Sequence, residues 1–236
     1  MQNTASGDAA TVAGGYVNVA SGLDATVGGG FSNLADGTVS TIPGGSANHA
    51  SGFGSFAAGF HANANTDGCF VFSDKSSTNS TSCGLTPNQF VVRSLGGVYL
   101  LTGGASDASY TGAALLPGAT AWTTYSDRAG KANVVAVDPG AVLRKLAELP
   151  IATWNWQSQE EGVRHMGPMA QDFHAAFGLG ETPRGISTVD ADGVALAAIQ
   201  GLYAMMQSQA AMNEAKDRRI ESLERELAAI RQKLGM

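Results

Sequence analysis

The feature that most constrains this chain is a 15-residue repeat that runs through its first third. An alanine, a glycine, a Thr-Val type pair, paired glycines and an asparagine recur at fixed offsets, except that in the last repeat Phe56-Ala57 replaces the Thr-Val type pair and Gly59 is followed by Phe60. The corresponding positions are Ala5, Ala20, Ala35 and Ala50; Gly7, Gly22, Gly37 and Gly52; Thr11-Val12, Thr26-Val27, Thr41-Ile42 and Phe56-Ala57; Gly14-Gly15, Gly29-Gly30, Gly44-Gly45 and Gly59-Phe60; and Asn18, Asn33, Asn48 and Asn63. A unit this short cannot bury its own apolar face, so neighbouring units must stack as rungs of a parallel β-solenoid.

The residue types indicate how such rungs would stack. Glycines at fixed offsets suit corners with positive φ, and aligned asparagines can form a hydrogen-bonded ladder along the stack. A disordered Gly/Ser linker is the alternative, and it is disfavoured because a linker has no use for regular periodicity. Each rung holds little more than a Val or Ile, so the stack is too thin for a stable monomer, which predicts three chains side by side.

The repeat resembles the head repeats of YadA-like trimeric adhesins. Ala-Ser-Gly, Thr-Val-Gly-Gly-Gly and Asn recur in order, and the closest copy is ASGLDATVGGGFSN, which begins at Ala20. The resemblance covers about residues 5–65. It implies a left-handed parallel β-roll within a homotrimer.

Charge is distributed unevenly along the chain and marks a second architecture. Residues 1–125 hold six acidic and two basic side chains, whereas residues 126–236 hold 14 acidic and 12 basic ones. A net charge of -6 gives no basic stripe for nucleic acid, and no apolar run reaches the roughly 20 residues that a membrane helix needs. No secretion signal is evident, so a protein that works outside the cell would leave its host cytoplasm by lysis, or would have further sequence upstream.

Residues 66–125 carry short apolar runs at 69–72, 89–92 and 97–101, separated by Gly/Ser/Asn/Thr turns, which predict a β-rich trimeric connector. The glycine pairs at 96–97 and 103–104 are interpreted as turns, because no Lys-Ser/Thr or amphipathic helix completes a phosphate loop. Cys69 and Cys83 could pair in an oxidising setting. Two thiols do not make a disulfide scaffold, however, and we expect free thiols.

Candidate chemistry lies where the composition changes, at Ser126-Asp127-Arg128-Ala129-Gly130-Lys131. A serine and a lysine five residues apart can meet across a turn. A lysine that is desolvated enough to lose its proton can act as the base for a serine hydroxyl, which is the Ser-Lys variant of nucleophilic catalysis. An ordinary Ser-Asp turn is the alternative.

The C-terminal third resembles the intramolecular chaperone and self-cleaving peptidase domain of phage endosialidases and tail fibres. Its motifs follow in order: S-D-x-x-x-K at 126–131, VLRKLAELPIATWNW at 142–156, Gly-x-x-Ala-Gln-Asp at 167–172 and Ala-Ile-Gln-x-Leu at 198–202. The resemblance implies that Ser126 is the nucleophile, that Lys131 is the base, and that the bond between Tyr125 and Ser126 is cut. Asp127 would shape the turn or stabilise the transition state. Many members have Arg-Leu before the lysine and Glu-Asn-Ile after it, and this chain does not.

A long helix is predicted from about Val194, because apolar residues recur with a heptad period. The seam positions are Ile199, Met206, Asn213, Ile220, Leu227 and Leu234, with Leu202, Gln209, Lys216, Leu223 and Ile230. This predicts a trimeric coiled coil whose polar middle fixes the register. Two charge pairs, Arg219 with Glu224 and Glu226 with Arg231, either join neighbouring helices or form a solvated face.

Other polar residues in the C-terminal third do not match the pattern of a metal-binding site. Asp190-Ala191-Asp192-Gly193 lacks the later ligands of a calcium loop and is read as a turn that enters the last helix. His165 and His174 lack metal-ligand spacing and are read as surface or packing residues. No cofactor and no metal are expected.

Together these patterns predict a mixed fold in four parts: a β-roll at 1–65, a connector at 66–125, an α+β chaperone domain at 126–193 and a coiled-coil helix at 194–236. The predicted protein is the distal part of a phage tail fibre or surface fibre, located in a virion or at a cell surface. Its C-terminal chaperone would drive homotrimer formation and then release itself as a single-turnover serine endopeptidase. A host-surface receptor, glycan or protein, is a further expected partner. The alternatives are a fibre cap that stays attached and a fragment of a bacterial trimeric adhesin.

Overall fold

The computed structural model describes residues 2–104 and 111–235 of the chain. These residues divide into two compact units, Met1–Gly130 and Lys131–Met236. The strands of the first unit are β1 (Thr4–Ala5), β2 (Thr11–Val12), β3 (Val19–Ala20), β4 (Thr26–Val27), β5 (Leu34–Ala35), β6 (Thr41–Ile42), β7 (Gly45–Ser46), β8 (His49–Ala50), β9 (Phe56–Phe60), β10 (Ala62–Ala64), β11 (Phe70–Ser73), β12 (Thr81–Ser82), β13 (Phe90–Arg93), β14 (Val98–Gly103), β15 (Thr111–Leu115) and β16 (Thr123–Thr124).

The strands from β1 to β13 form the parallel β-solenoid that the repeat predicts. One sheet has the order β1-β3-β5-β8-β10-β12, and the other has the order β13-β11-β9-β6-β4-β2. A third side is made by the pairing of β7 with β9 and by isolated bridges that join Tyr16, Phe31 and Ser46. We call one circuit of the chain through these sides a coil.

The register follows the sequence period in the first coils and departs from it afterwards. Thr11 pairs with Thr26, and Thr26 pairs with Thr41, so that each step is one repeat long. Phe70 then pairs with Phe56, which is closer in sequence than one repeat, and with Phe90, which is farther away than one repeat. The stack therefore accommodates one shortened coil and one enlarged coil.

The interior of the solenoid is narrow. Its buried cluster consists mainly of alanines, with Val27, Ile42 and Val71 and the two cysteines. Ile42 is the largest side chain that is fully buried among the described residues. Since stabilisation scales with the apolar area removed from water, each coil contributes little by itself.

A ladder of asparagine side chains supplies the polar part of this interior. Asn33 Nδ2 donates to Asn18 Oδ1 at 3.0 Å, and Asn48 Nδ2 donates to Asn33 Oδ1 at the same distance. Asn3, one repeat earlier, extends the ladder, because its Oδ1 accepts from the Asn18 backbone N–H at 3.0 Å. The three inner members are 1% exposed or less, which confirms a hydrogen-bonded ladder of buried amides.

The prediction that Asn63 closes the fourth repeat is wrong. Asn63 pairs with His49, and Ala62 takes the ladder position, where its N–H donates to Asn48 Oδ1 at 2.9 Å. The cause is the single Gly59, which lies opposite Gly45 and replaces a glycine pair, so that this coil is one residue short. The Oδ1 atom of Asn63 is buried without a hydrogen-bond partner.

The repeated glycines are needed for two different reasons. Gly15, Gly30, Gly45 and Gly59 have φ between 83° and 96°, as predicted for corners. Gly22 represents a second set, because a Cβ atom there would lie 2.2 Å from the carbonyl oxygen of Gly37 in the next coil. In that set glycine permits close approach of two backbones.

The expectation of free thiols is wrong, because Cys69 and Cys83 form a disulfide in the structure. The cysteines are 1% and 2% exposed, respectively. Cys69 precedes β11 and Cys83 follows β12, so that successive strands of the two sheets bring both side chains into the interior. Their Cα atoms are 6.5 Å apart, which is within the range of disulfides.

The predicted strands of the middle segment form, but not all in one sheet. β11 and β13 belong to the solenoid, whereas β14, β15 and β16 form a separate antiparallel sheet in that order. Gly97 has a φ of 95° and its N–H donates to Ser94 O at 3.0 Å, which confirms a turn there. Gly103 instead ends β14.

The second unit has an α+β composition. It contains α1 (Pro139–Glu148), an antiparallel pair made by β17 (Ala152–Trp154) and β18 (His165–Gly167), α2 (Ala170–Phe177) and α3 (Thr188–Leu234). Leu149, Phe173 and Val194 form its buried core. Asp138 caps α1, because its Oδ1 accepts from Gly140 N at 2.9 Å, and Gly178 ends α2 in the left-handed conformation.

The last helix is long and begins earlier than predicted. α3 has 47 residues, which corresponds to about 70 Å. The interpretation of residues 190–193 as a turn is wrong, because they lie within α3, near its N-cap Ser187. α3 packs against α1 at Gly201, where a Cβ atom would lie 2.4 Å from Pro139 O.

Candidate functional site

The predicted cleavage point lies at the end of the antiparallel sheet. β16 pairs with β15, and Tyr125 continues this contact by donating its N–H to Gly112 O at 3.5 Å. Tyr125 is 37% exposed, and Ser126 and Asp127 are also exposed. Regular β-structure therefore ends at Thr124, one residue before the bond between Tyr125 and Ser126.

Asp127 forms a turn directly after that bond. Its Oδ1 accepts from Ala129 N at 2.8 Å, and its backbone carbonyl accepts from Gly130 N at 3.2 Å. A short 3₁₀ helix, Arg128–Gly130, results. An aspartate is suited to this position because its short side chain bonds the backbone two residues on.

The residues of the candidate dyad are assigned to different compact units of the chain. Ser126 and Asp127 belong to the first unit, and Lys131 begins the second. Lys131 is exposed, and it is followed by a segment without regular structure that ends at the Asp138 cap of α1.

The other predicted motifs lie in the second unit, where the 142–156 motif covers most of α1 and the strand β17, and the 198–202 motif lies within α3. β17 carries Trp154, which packs against His165 of β18 with ring centroids 4.8 Å apart. Arg164 fixes the start of this hairpin, because its Nη2 donates to Thr153 O at 2.7 Å. His165 Nε2 lies 2.9 Å from Gln159 Oε1, so that His165 is a packing residue, as predicted. The 167–172 motif covers the step from β18 into α2.

Sequence reasoning did not foresee a cleft of about 920 Å³ in this unit. Trp154, Trp156, Met169 and Ile186 contribute apolar lining, and Arg184 also lines the cleft. The spacing of Trp154 and Trp156 was a usable signal, because period-2 aromatics mark one face of an extended segment, although β17 itself ends at Trp154.

The predicted coiled-coil seam is exposed in the single chain. The apolar seam residues are between 44% and 68% exposed: Ile199, Leu202, Met206, Ile220, Leu223, Leu227, Ile230 and Leu234. Gln209 Nε2 donates to Asn213 Oδ1 at 2.8 Å, so that two of the polar seam residues bond each other along the helix. An apolar stripe of this kind on a long helix is typical of a surface that binds other helices.

Two further properties concern only the part of the chain that the structure describes. Among residues 2–104 and 111–235, no helix combines the length and apolar character that crossing a membrane requires. The same residues contain no group of three His, Cys, Asp or Glu side chains that could hold a metal ion.

Comparison with known proteins gives a family match that begins at the candidate dyad. No curated protein matches the chain. Residues 126–178 match the family Peptidase_S74, described as chaperone of endosialidase. The match begins at Ser126 and ends at the glycine that caps α2, so that it contains the S-D-x-x-x-K opening, the β17–β18 pair and the 167–172 motif. Over residues 126–178 the chain is thus similar to the endosialidase chaperones, which confirms the resemblance for the first three C-terminal motifs, whereas the 198–202 motif lies outside the match.

Proposed function

We propose that this chain is the distal part of a tail-fibre-type structure, and that its C-terminal part is an intramolecular chaperone that is removed by self-cleavage. The observation that carries the proposal is the family match, which begins at Ser126, directly after the bond that the resemblance marks for cleavage. The β-solenoid that precedes this point is a suitable fibre element. In this role the protein is located in a virion or at a cell surface, and the outward faces of its solenoid are available to a host receptor.

The chaperone acts by holding three chains together. Two observations support a homotrimer: the narrow core of the solenoid, in which Ile42 is the largest fully buried side chain, and the exposed apolar seam of α3. Joining three chains through α3 makes the later solenoid contacts effectively intramolecular, which raises the local concentration of the partners. The helices associate first, and the solenoids fold against one another afterwards.

Self-cleavage needs only groups that this chain supplies and water. Lys131, in its neutral form, takes the proton from the Ser126 hydroxyl, and Oγ attacks the carbonyl carbon of Tyr125. The new C–O bond forms, the peptide C–N bond breaks, and the leaving amine of Ser126 receives the proton. Water then hydrolyses the ester, which leaves a carboxylate on Tyr125 and restores the hydroxyl of Ser126. The reaction occurs once per chain.

The experiment compares the intact masses of variants of the full chain. We expect a fragment that ends at Tyr125 from the wild type and from Ser208→Ala, a control that removes a serine hydroxyl on the exposed face of α3. We expect no fragment from Ser126→Ala. Lys131→Arg keeps the positive charge but cannot act as a base, and it should also remain whole.

The outcomes separate the parts of the proposal. A wild type that stays whole but sediments as a trimer would show a permanently attached cap and would remove the peptidase role. Cleavage that persists in Ser126→Ala would refute the assignment of the nucleophile. A folded wild type that sediments as a single chain at micromolar concentration would refute the chaperone role.

A further inference from the structure

A column of three phenylalanines lies on the outer side of one solenoid sheet. Phe56, Phe70 and Phe90 occupy paired positions on β9, β11 and β13. Their rings stack with centroid distances of 4.5 Å and 4.8 Å. Phe90 is 73% exposed at the end of the column, and Phe72, two residues along β11 from Phe70, is 38% exposed.

The column is a specific replacement within the repeat. In the preceding coils the same sheet position is occupied by Thr11, Thr26 and Thr41, and Thr41 pairs directly with Phe56. The neighbouring residues Val27 and Ile42 point inward and are buried. The change from Thr to Phe therefore adds large apolar side chains to the outside, while the inside remains small.

We propose that the phenylalanine column, defined as Phe56, Phe70 and Phe90, is a contact surface between copies of this chain. The proposal rests on the trimer of the proposed function and names the part of the solenoid that the copies share. In this arrangement, contact between the outer faces buries apolar area that the narrow interior of a single solenoid does not bury.

The chemistry of the surface favours an apolar partner. The strands that carry the column contain one charged side chain, Arg93, and its guanidinium Nε lies 3.7 Å from Asp74 Oδ1. Within the column, ring faces cover one another and leave ring edges toward solvent. Those edges carry partial positive charge and pack favourably against the faces of other aromatic rings.

A second copy is the occupant whose geometry matches. The three rings lie on successive strands, so that their edges are separated by the spacing between neighbouring strands along the solenoid axis. Another solenoid of the same sequence presents apolar groups at an identical spacing, and successive rungs of both copies can be in contact without distortion. Copies around a threefold axis would bring three such columns together.

The test replaces one phenylalanine at a time with the photo-crosslinking analogue p-benzoylphenylalanine in the full chain. At position 90 we expect light-induced bonds to a second copy. At position 53 we expect none, because Phe53 is a matched control that is 60% exposed and lies in a turn outside the column. Mass spectrometry of the crosslinked peptides identifies the contacted residues.

A second measurement uses a variant that continues the threonine pattern, with Phe56→Thr, Phe70→Thr and Phe90→Thr together. Threonine already occupies this position in three coils, so that the solenoid is expected to fold. Sedimentation should then show association weakened roughly tenfold or more relative to Phe53→Thr.

The outcomes distinguish this inference from the proposed function. A trimeric wild type whose position 90 crosslinks no more than position 53, or a triple threonine variant that associates as well as its control, overturns the inference and leaves the trimer intact. Crosslinks from position 90 only to other proteins also overturn it. A monomeric wild type refutes both proposals.

Discussion

Replacing Asn33 by alanine should destabilise the solenoid far more than replacing Asn63, although both asparagines fit the same sequence repeat. The Asn33 amide is 1% exposed and bonds in both directions along the ladder. Its Nδ2 donates to Asn18 Oδ1, Gly29 O and Gly45 O at 2.9–3.0 Å, and its Oδ1 accepts from the N–H and the side chain of Asn48 at 3.0 Å. The Asn63 Oδ1 has no hydrogen-bond partner.

The magnitude follows from the groups that lose a partner. In Asn33→Ala, the buried N–H of Asn48 and the carbonyl of Gly29 lose the amide that bonds them. A buried polar group left without a partner costs about 1–3 kcal/mol, so that we expect a loss of about 1–3 kcal/mol in the free energy of unfolding from the Asn48 N–H, and a smaller addition from the partly buried Gly29 carbonyl. In Asn63→Ala, a buried carbonyl oxygen without a partner is removed. The expected change there is within about 0.5 kcal/mol, or a small gain.

The assay is urea unfolding of both variants and the wild type at one chain concentration, because association makes apparent stability depend on concentration. Unfolding rates are measured as well, since an assembled protein can unfold irreversibly. Equal losses in the two variants would show that Asn63 belongs to the ladder after all. A negligible loss in Asn33→Ala would refute the reasoning about the buried amides.

Three other predictions concern single contacts. Gly201→Ala should lower the free energy of unfolding by about 1–3 kcal/mol, because the new methyl group meets the backbone of α1. Gly193→Ala lies in the same helix with open space around it, and it should raise the free energy of unfolding by about 0.5–1 kcal/mol. The midpoints of urea unfolding test both variants. Reduction of the Cys69–Cys83 disulfide should lower the free energy of unfolding by about 3 kcal/mol through its loop, and a reductant should have no effect on a variant with alanine at both positions. Hydrogen bonds from the Ser76 side chain and the Leu95 N–H lower the pKa of Asp74 below its ordinary 3.8. The ionised Asp74 therefore stabilises the fold fully above pH 3.8, and this contribution is lost as the pH falls through the lowered pKa. The stability difference between wild type and Asp74→Asn should therefore narrow below pH 3.8, and a difference that stays constant down to strongly acidic pH would contradict this origin.

The repeat predicted the solenoid because a constant period fixes which residues stack. The same period failed at the fourth coil, where Asn63 lies one full repeat after Asn48 but pairs one position away from it. The sequence shows a single Gly59 in that coil, yet only the structure shows that it aligns with the second glycine of the preceding pair. The alignment that keeps Asn63 in the asparagine position is the one that the repeat favours, and the structure adopts the other, in which Gly59 keeps the corner and Ala62 takes the ladder position.

The sequence predicted where along the chain the candidate site lies, but not how the surrounding side chains are arranged in space. The S-D-x-x-x-K motif predicted where the family match begins, because the motif consists of residues that are close together in the sequence. The cleft beside Trp154 and Trp156 depends on packing between β17, α2 and the segment before α3, and no local pattern reports such contacts. The disulfide was missed for a similar reason, because the enlarged coil that brings Cys83 beside Cys69 has no counterpart in the repeat.

The two units differ in how they can begin to fold, and this difference gives the C-terminal unit its proposed role. The hydrogen bonds of α3 join residues on neighbouring turns, so that this helix can form within about a microsecond once its sequence is available. Solenoid rungs pair residues that lie about one whole repeat apart across a core of alanines and valines, and each rung gains stability only when its neighbours are present. Nucleation of the solenoid is therefore unfavourable in free energy, whereas addition of further rungs is favourable. A helix that joins three chains would lower the entropic cost of nucleation. The buried cluster inside the rungs consists of residues of the first unit. A chaperone that acts only on nucleation can therefore be removed without loss, which is the physical reason to expect a cleavage point between the last strand of the first unit and the first residues of the second.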